Sequence, residues 1–565
     1  MLARVSSCAL FGIDAYFVEV EVDVGRGLPS FSTVGLPDAA VRESRERVLS
    51  AIRNSGLEVP PRRIVVNLAP ADTRKEGAGF DLAVAVSLLA ATGQLPCERS
   101  EGIAFVGELS LDGRLRSVRG VLSMALLAKH AKVRGMIVPT ENGEEAFVAL
   151  GERVLTASTL SEVVGFLRGQ LTLPSPRPVG RTAKRAESTT IPAGSRAPAP
   201  ERLRVTTRTD TLAAAPERQS TTTPTSTPAP VSERPDPTAY PDFSDVRGQH
   251  QARRALEVAA AGGHNVIMIG PPGSGKSMLA RRLPSILPPL TIDEAVETTR
   301  IYSSAGRLPR GVALLSTRPF RSPHHTVSAA GVIGGGRVPR PGEVSLSHNG
   351  VLFLDELPEF RRDVLEALRQ PLEEARLTVT RAGGTVTFPA RFMLIAASNP
   401  CPCGHFTDTL KECNCTPVQI RNYMGRLSGP LLDRIDIHVY VPRLAFQEIS
   451  KPAPAENSQS IRERVLEARA LQLHRYGRIR YVRTNSDLGE AVIRRFCLVD
   501  EPGLSLLKAA MERLGLSGRA FHRILKVART IADLAGSDLI ETQHVAEAIQ
   551  YRSLDRTQFS VPLTQ

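Results

Sequence analysis

Val266-Ile267-Met268-Ile269-Gly270-Pro271-Pro272-Gly273-Ser274-Gly275-Lys276-Ser277 is the stretch that decides the fold of this chain. Four consecutive apolar residues run into a G-x-x-x-x-G-K-S loop, and Met278 to Leu283 reads as the helix that follows. A strand, a glycine-rich loop and a helix in that order aim backbone N–H groups at phosphate from a helix amino terminus. Gly270, Pro271, Pro272, Gly273, Ser274 and Gly275 form the wrap, Lys276 neutralises the outer phosphates, and Ser277 offers its hydroxyl to Mg²⁺. The expectation is an α/β core built on a parallel sheet, with a nucleoside triphosphate bound at that loop.

Downstream segments supply what phosphoryl transfer needs. Val351-Leu352-Phe353-Leu354 reads as a buried parallel strand ending in Asp355-Glu356. Asp355 suits the Mg²⁺ shell and Glu356 the polarisation of an attacking water. A further strand, Phe392 to Ala397, ends in Ser398-Asn399, where an amide can orient that water or contact the γ-phosphate. Leu431-Leu432-Asp433-Arg434-Ile435-Asp436 places an arginine between apolar anchors. Arg519 stands at the start of an amphipathic helix that runs over Ala520 to Leu534. Cations near developing phosphate charge accelerate transfer, which makes Arg434 and Arg519 the candidate arginines.

Four of the seven cysteines fall in one short stretch, Cys401-Pro402-Cys403 and Cys413-Asn414-Cys415. Four thiolates suit tetrahedral Zn²⁺, although C-x-C pairs depart from the common C-x₂-C spacing. An iron–sulfur cluster is the alternative metal and lacks supporting context. His405 reads as a bystander. Disulfides are disfavoured in a reducing cytoplasm, the compartment that the clustering suggests. His324 and His325 precede a glycine-rich stretch; read as extended, the segment would turn their side chains to opposite faces, against a shared metal. The same stretch reads as a loop that could face a central pore and bring Arg337 and Arg340 to phosphates.

The chain has 565 residues, 42% hydrophobic and 23% charged, which excludes a wholly disordered polymer. No apolar run reaches the length of a membrane span, and the first residues lack the apolar core of a signal peptide. The expectation is therefore a cytoplasmic protein with no membrane partner. A net charge of +13 favours a polyanion such as nucleic acid. Aromatic residues are only 5% and Trp is absent, which argues against recognition built mainly on base stacking.

Composition divides the chain into four parts. Residues 1–170 alternate strand and helix patterns: strands at Tyr16 to Val24, Arg63 to Leu68 and Met136 to Pro139, helices at Pro37 to Ile52 and Phe80 to Ala91, and a hairpin about Asp112-Gly113. Residues 171–240, rich in Pro, Thr, Ser, Ala and Arg, read as a flexible linker. Residues 241–445 carry the nucleotide motifs, and 446–565 read as mainly helical.

The series GPPGSGKS, VLFLDE, AASN, PLLDRID and SGRAFHRILKVARTIADL resembles AAA+ ATPases of the magnesium-chelatase-like branch. Phe320–His325, Pro341–Gly350 and Glu547–Arg552 resemble the YifB/ComM family more narrowly. The resemblance implies ATP, Mg²⁺ and a homo-oligomeric ring, a hexamer, with Arg434 acting on the neighbouring subunit's nucleotide and Arg519 as a lid arginine within its own subunit. It also implies a helical carboxyl-terminal lid and a Lon-protease-like amino-terminal domain. In that domain Gly79 stands where a serine nucleophile belongs and Leu122 where its lysine belongs, so proteolysis is not expected. The implied function is a DNA motor, a helicase or branch-migration enzyme acting in recombination during natural transformation. The alternative is a chelatase-like ATPase that remodels a protein partner.

Overall fold

The structure, a computed structural model, describes residues 1–176 and 240–552, apart from 72–74, 76, 337–338, 382–383, 407, 409, 428, 445–454 and 480. The linker expected over 171–240 lies outside the described residues from 177 onward, as does Arg337.

The amino-terminal segment is built on a strand outside the sequence expectation. Leu2–Phe11 (β1) pairs antiparallel with Asp14–Gly25 (β2) along its whole length, from Leu2 opposite Asp23 to Phe11 opposite Asp14. Ser30–Val34 (β3), Arg63–Ala69 (β4), Ile103–Phe105 (β5), Gly135–Pro139 (β6) and Val154–Ala157 (β7) complete a seven-stranded sheet in the order β3-β4-β2-β1-β5-β6-β7. The turn at Asp112-Gly113 closes a separate short pair, Glu108–Leu109 with Leu115–Arg116. Ala39–Asn54 (α1) starts where the Asp38 carboxylate accepts from Val41 N at 2.7 Å, satisfying a donor that the first turn leaves free. Asp81–Ala91 (α2), apolar apart from Asp81 and Ser87, is buried throughout and packs against β1 and β2. Val121–His130 (α3) reaches the second half of the chain.

That second half holds the phosphate-loop strand. Val266–Ile269 (β8), Phe320–Arg321 (β9), Val351–Leu354 (β10), Met393–Ser398 (β11) and Ile437–Tyr440 (β12) form an all-parallel sheet in the order β9-β10-β11-β8-β12. β8, β10 and β11 are buried along their whole length, the condition under which parallel strands read as unbroken apolar runs. His250–Gly262 (α4) precedes β8, and Lys276–Ile286 (α5) follows the loop and ends through Pro284 and the prolines beyond it. Ile292–Ser304 (α6) begins on a Thr291–Glu294 capping box. The chain is thus a mixed α/β protein with a parallel sheet of the phosphate-loop kind.

α6 also joins the two sheets. Arg300 donates to Asp14 Oδ1 at 2.8 Å, Ser303 Oγ to Glu145 Oε2 at 2.6 Å, and Gly120 N to Ser303 O at 3.1 Å. The described residues up to 176 and from 240 to 552 accordingly pack as one unit.

The carboxyl-terminal part is helical: Ser458–Tyr476 (α7), Glu501–Leu514 (α8), Gly518–Leu534 (α9) and Thr542–Gln550 (α10). α7 and α9 lie against α4, and α9 is pinned below the strand starts. His264, wholly buried just ahead of β8, has Nδ1 3.1 Å from Asp436 Oδ2 and Nε2 2.8 Å from Thr530 Oγ1. Arg523 donates to the other Asp436 oxygen. The Arg523 charge and the His264 hydrogen bond hold the Asp436 carboxyl well below its usual range despite burial. Removing one partner of a buried pair strands the other. Asp436→Ala should therefore lower unfolding free energy by about 3–5 kcal/mol, read by chemical denaturation; a loss under about 1 kcal/mol would show the network to be incidental.

Candidate nucleotide site

Three motif segments meet because β10, β11 and β8 are neighbours and all point the same way. Their carboxyl ends deliver Asp355-Glu356, Asn399 and the glycine-rich loop to one place, the rim where open α/β sheets bind ligands. Lys276 Nζ donates to Asn399 Oδ1 at 3.2 Å and to the loop carbonyls of Gly270 at 2.7 Å and Pro271 at 2.9 Å. Ser277 Oγ donates to Asp355 Oδ2 at 2.6 Å, so two oxygens suited to Mg²⁺ already lie together. Burial pulls the Lys276 ammonium down to about 8, and the charges of Asp355 and Glu356 oppose that pull.

The loop fits a phosphate chain. Gly273 has φ +76, and a β-carbon there would meet nothing within 4 Å, which leaves an open concavity. Ser274 Oγ is buried within the loop and has no hydrogen-bond partner among the described residues.

Several supporting residues escaped the sequence reading. Gln249, in a left-handed conformation at φ 52, donates from Nε2 to Ser274 O at 3.1 Å and Pro442 O at 2.7 Å, clamping the loop from outside. Arg443 donates to Pro272 O at 3.2 Å. Glu356 itself is left-handed, with φ 52, a conformation that costs a non-glycine residue free energy. Beside it stands His325, its Nδ1 3.5 Å from Glu356 Oε2.

The expected opposite facing of His324 and His325 is corrected here. Pro323 and a turn follow β9 instead of further strand, and the two rings lie 4.1 Å apart between centroids, tilted against each other. Arg340 is exposed, in a short pairing with Gly334-Gly335.

The cysteines come together. Ligand atoms of Cys401, Cys403, Cys413 and Cys415 all lie within 4.8 Å of one another, with Cys401–Cys403 sulfurs 3.4 Å apart and Cys401–Cys413 and Cys403–Cys413 sulfurs 3.6 Å apart. A tetrahedron with Zn–S near 2.3 Å puts its sulfurs about 3.7–3.8 Å apart, so this set fits the ion. His405 turns its Nδ1 to Asp408 at 3.0 Å, away from the ligand role. The loop rests on the phosphate loop: Asp408 pairs with Arg443 at 3.3 Å, and Arg443 holds Pro272.

The arginines lie elsewhere. Arg434 follows the short helix Gly429–Leu432 and pairs with Glu373, on the side where β12 begins. Arg519, exposed, opens α9, whose Arg523 one turn later grips Asp436 at that same strand start. The lid reading asks Arg519 to reach its own subunit's nucleotide. α9 packs at the amino-terminal ends of the strands, and the phosphates would lie at the carboxyl-terminal ends.

Residues 242–449 match the family of the magnesium chelatase subunit ChlI, 20–142 match a second ChlI segment of magnesium chelatase, and 455–552 match the ChlI carboxyl-terminal segment. The competence protein ComM of Haemophilus influenzae is 42% identical over 556 residues, 98% of each chain. YifB of Escherichia coli is 41% identical over 558 residues, again 98% of each. The chain belongs to the YifB/ComM family of magnesium-chelatase-like proteins. The 38 kDa magnesium-chelatase subunit of Rhodobacter capsulatus is 29% identical over 177 residues, 28% of this chain and 50% of that one. Ser87 Oγ bonds to Ala3 O at 3.1 Å and Val20 O at 3.3 Å, while Lys129 is exposed on α3.

The contact between cysteine loop and phosphate loop is open to test at Gly404. Its φ is +81, and a β-carbon would lie 2.7 Å from Pro272 Cδ. Gly404→Ala should cost roughly 1–2 kcal/mol of stability and weaken nucleotide binding by about tenfold in a fluorescent-nucleotide titration. Unchanged affinity would mean that the two loops are energetically independent.

Proposed function

We propose that this chain is an ATP-hydrolysing AAA+ ring motor that acts on DNA and migrates branch points. The observation that carries the ATPase part is the meeting of Lys276, Ser277–Asp355 and Asn399 at the ends of three adjacent parallel strands. Lys276 meets the outer phosphates, Glu356 polarises the attacking water, and Asn399 orients it. Ser277 and Asp355 would hold Mg²⁺, which supplies neutralising charge on the phosphates when bound. His325 positions the Glu356 carboxylate. Arg434 and Arg519, both on the far side of the sheet, act on the nucleotide of a neighbouring chain in a homo-oligomeric ring, a hexamer.

DNA as the partner is supported by the net charge of +13 and by the full-length likeness to a competence protein. On this reading the amino-terminal segment is a noncatalytic Lon-like domain and the carboxyl-terminal helices are the lid domain, packed behind the strands. The ChlI matches favour a second reading, a chelatase-like ATPase that remodels a protein partner.

Branch migration suits such a motor energetically. Each base-pair step costs about 1–2 kcal/mol to open, yet pairs broken on one side of a junction re-form on the other, so direction matters more than net melting. The test uses labelled four-way junctions with wild type, Lys276→Ala and Glu356→Gln. Wild type should hydrolyse ATP and resolve junctions. Lys276→Ala should lose nucleotide binding, and Glu356→Gln should bind nucleotide while turning over about 10²–10⁴-fold more slowly. Junction resolution no faster in an ATP-hydrolysing wild type than in Lys276→Ala would replace the DNA motor by the protein-remodelling reading.

We further assign Zn²⁺ to the four cysteines, in a structural role beside the phosphate loop. Metal analysis of purified protein should find about one zinc per chain, lost when all four are changed to Ser. Zinc retained by that variant would place the metal elsewhere.

A further inference from the structure

A polar cavity of about 570 Å³ lies at the opposite end of the parallel sheet from the phosphate loop. Asn265, Gly350 and Asp436, each just ahead of a strand, form one wall, and the carboxyl-terminal helical part forms the other through Arg469 and Lys526. Its size is that of a ligand pocket, but charged groups replace the usual apolar lining.

The charges do not balance locally. Glu294 pairs with Arg318 at 2.8 Å and Arg483 at 3.1 Å, Asp487 pairs with Arg391 at 3.4 Å, and Asp436 and Glu373 hold Arg523 and Arg434. Glu374 is engaged by Arg376 at 3.3 Å. Arg469 and Lys526 remain without a carboxylate in ion-pair reach among the described residues. Arg469 donates from Nε and Nη2 to one carbonyl, Ala260 O, at 3.2 and 2.8 Å. Lys526 Nζ donates to Ser486 O at 2.9 Å. A second guanidinium NH₂ group and two ammonium protons are left for whatever fills the space.

Arg469 and Lys526 are both half-buried, and burial pushes Arg469 down to about 10 and Lys526 below its ordinary value. Half-buried cations bonded only to carbonyls are partly desolvated, and an anion would complete their shell.

We propose that this cavity binds a small phosphate-bearing anion, held by Arg469 and Lys526 between the strand starts and the carboxyl-terminal helices. A guanidinium NH₂ group and an ammonium that line one cavity offer separated donors, which the several oxygens and higher charge of a phosphate can meet and a single carboxylate cannot. The volume exceeds one phosphate, so a diphosphate, a triphosphate or a phosphorylated nucleoside fills it. Bound there, the anion ties α7 and α9, which carry the two cations, to the residues that start the strands. The site lies apart from this chain's own nucleotide loop and does not rest on the DNA reading, although Arg434 also lines it.

The test uses the full chain carrying Lys276→Ala, which removes the phosphate-loop lysine from the measurement. Pyrophosphate, inorganic phosphate and a nonhydrolysable ATP analogue are titrated by calorimetry, with citrate and sodium chloride at matched ionic strength. Pyrophosphate or the analogue should bind and raise the unfolding temperature; preference between them tells a bare polyphosphate from a nucleotide. Adding Arg469→Gln and Lys526→Gln should weaken binding at least about tenfold, while Lys526→Arg should retain it within about threefold. No binding beyond the chloride control, citrate bound as tightly as pyrophosphate, or an unchanged affinity in the Gln variants would overturn the proposal. Should the double variant fail to fold, Lys526→Gln against Lys526→Arg decides it by the same comparison.

Discussion

Parallel hydrogen bonding of β8 to a strand on each side is the constraint from which the rest follows. Val266 pairs with Ile395 of β11 and with Ile437 of β12, and Ile269 with Ser398 and Tyr440, so all three strands end together. Parallel strands cannot be joined by tight turns, and each connection must cross back over a face of the sheet. Reactive groups therefore collect at one end and anchoring groups at the other. Asn265, immediately ahead of β8, stitches the anchoring end: its Oδ1 accepts from Leu394 N at 2.8 Å and its Nδ2 donates to Arg434 O at 3.1 Å. The same register carries Lys276, Asp355 and Asn399 to the opposite rim.

Wherever a function needs consecutive residues, the sequence was legible. The glycine-rich loop, the strand ending in Asp355-Glu356 and the cysteine pairs each announce themselves by spacing, and the structure brings each set together. Contacts between distant segments were not legible. Gln249 reaches the loop from the start of α4, and His325 reaches Glu356 from a turn after β9; neither lies at a telling distance in the chain. β1 escaped for another reason. Its alternation of exposed and buried positions holds only to Val5 and Ser7, then gives way to buried Cys8 and Ala9, which blurs period two. The placement of α9 was missed because amphipathicity specifies a buried face but not which end of a sheet that face covers.

The position of α9 changes what one chain can do. Arg434 and Arg519 belong to the anchoring end, while phosphates belong to the loop end, and strands of four to six residues separate the two. At about 3.3 Å per residue that is roughly 13–20 Å, beyond the reach of an arginine side chain. On the proposed reading, for either arginine to meet the phosphates of a nucleotide held by a glycine-rich loop, that loop must sit on another chain. Ring assembly, on the proposed reading, is then a consequence of where the sheet puts its two kinds of residue.

The cysteine loop adds a second dependence at the loop end. A phosphate loop must hold several N–H groups aimed at one point, and glycine-rich backbone resists ordering because it has most freedom to lose. Here the order is supplied from outside. Gln249 holds the Ser274 and Pro442 carbonyls, Arg443 holds Pro272, and Asp408 of the cysteine segment holds Arg443. A metal on the four thiolates would fix the segment that carries Asp408, and through it the first turn of the loop. The metal would then contribute to nucleotide affinity without touching the nucleotide, by lowering the entropy lost when the loop closes on phosphate.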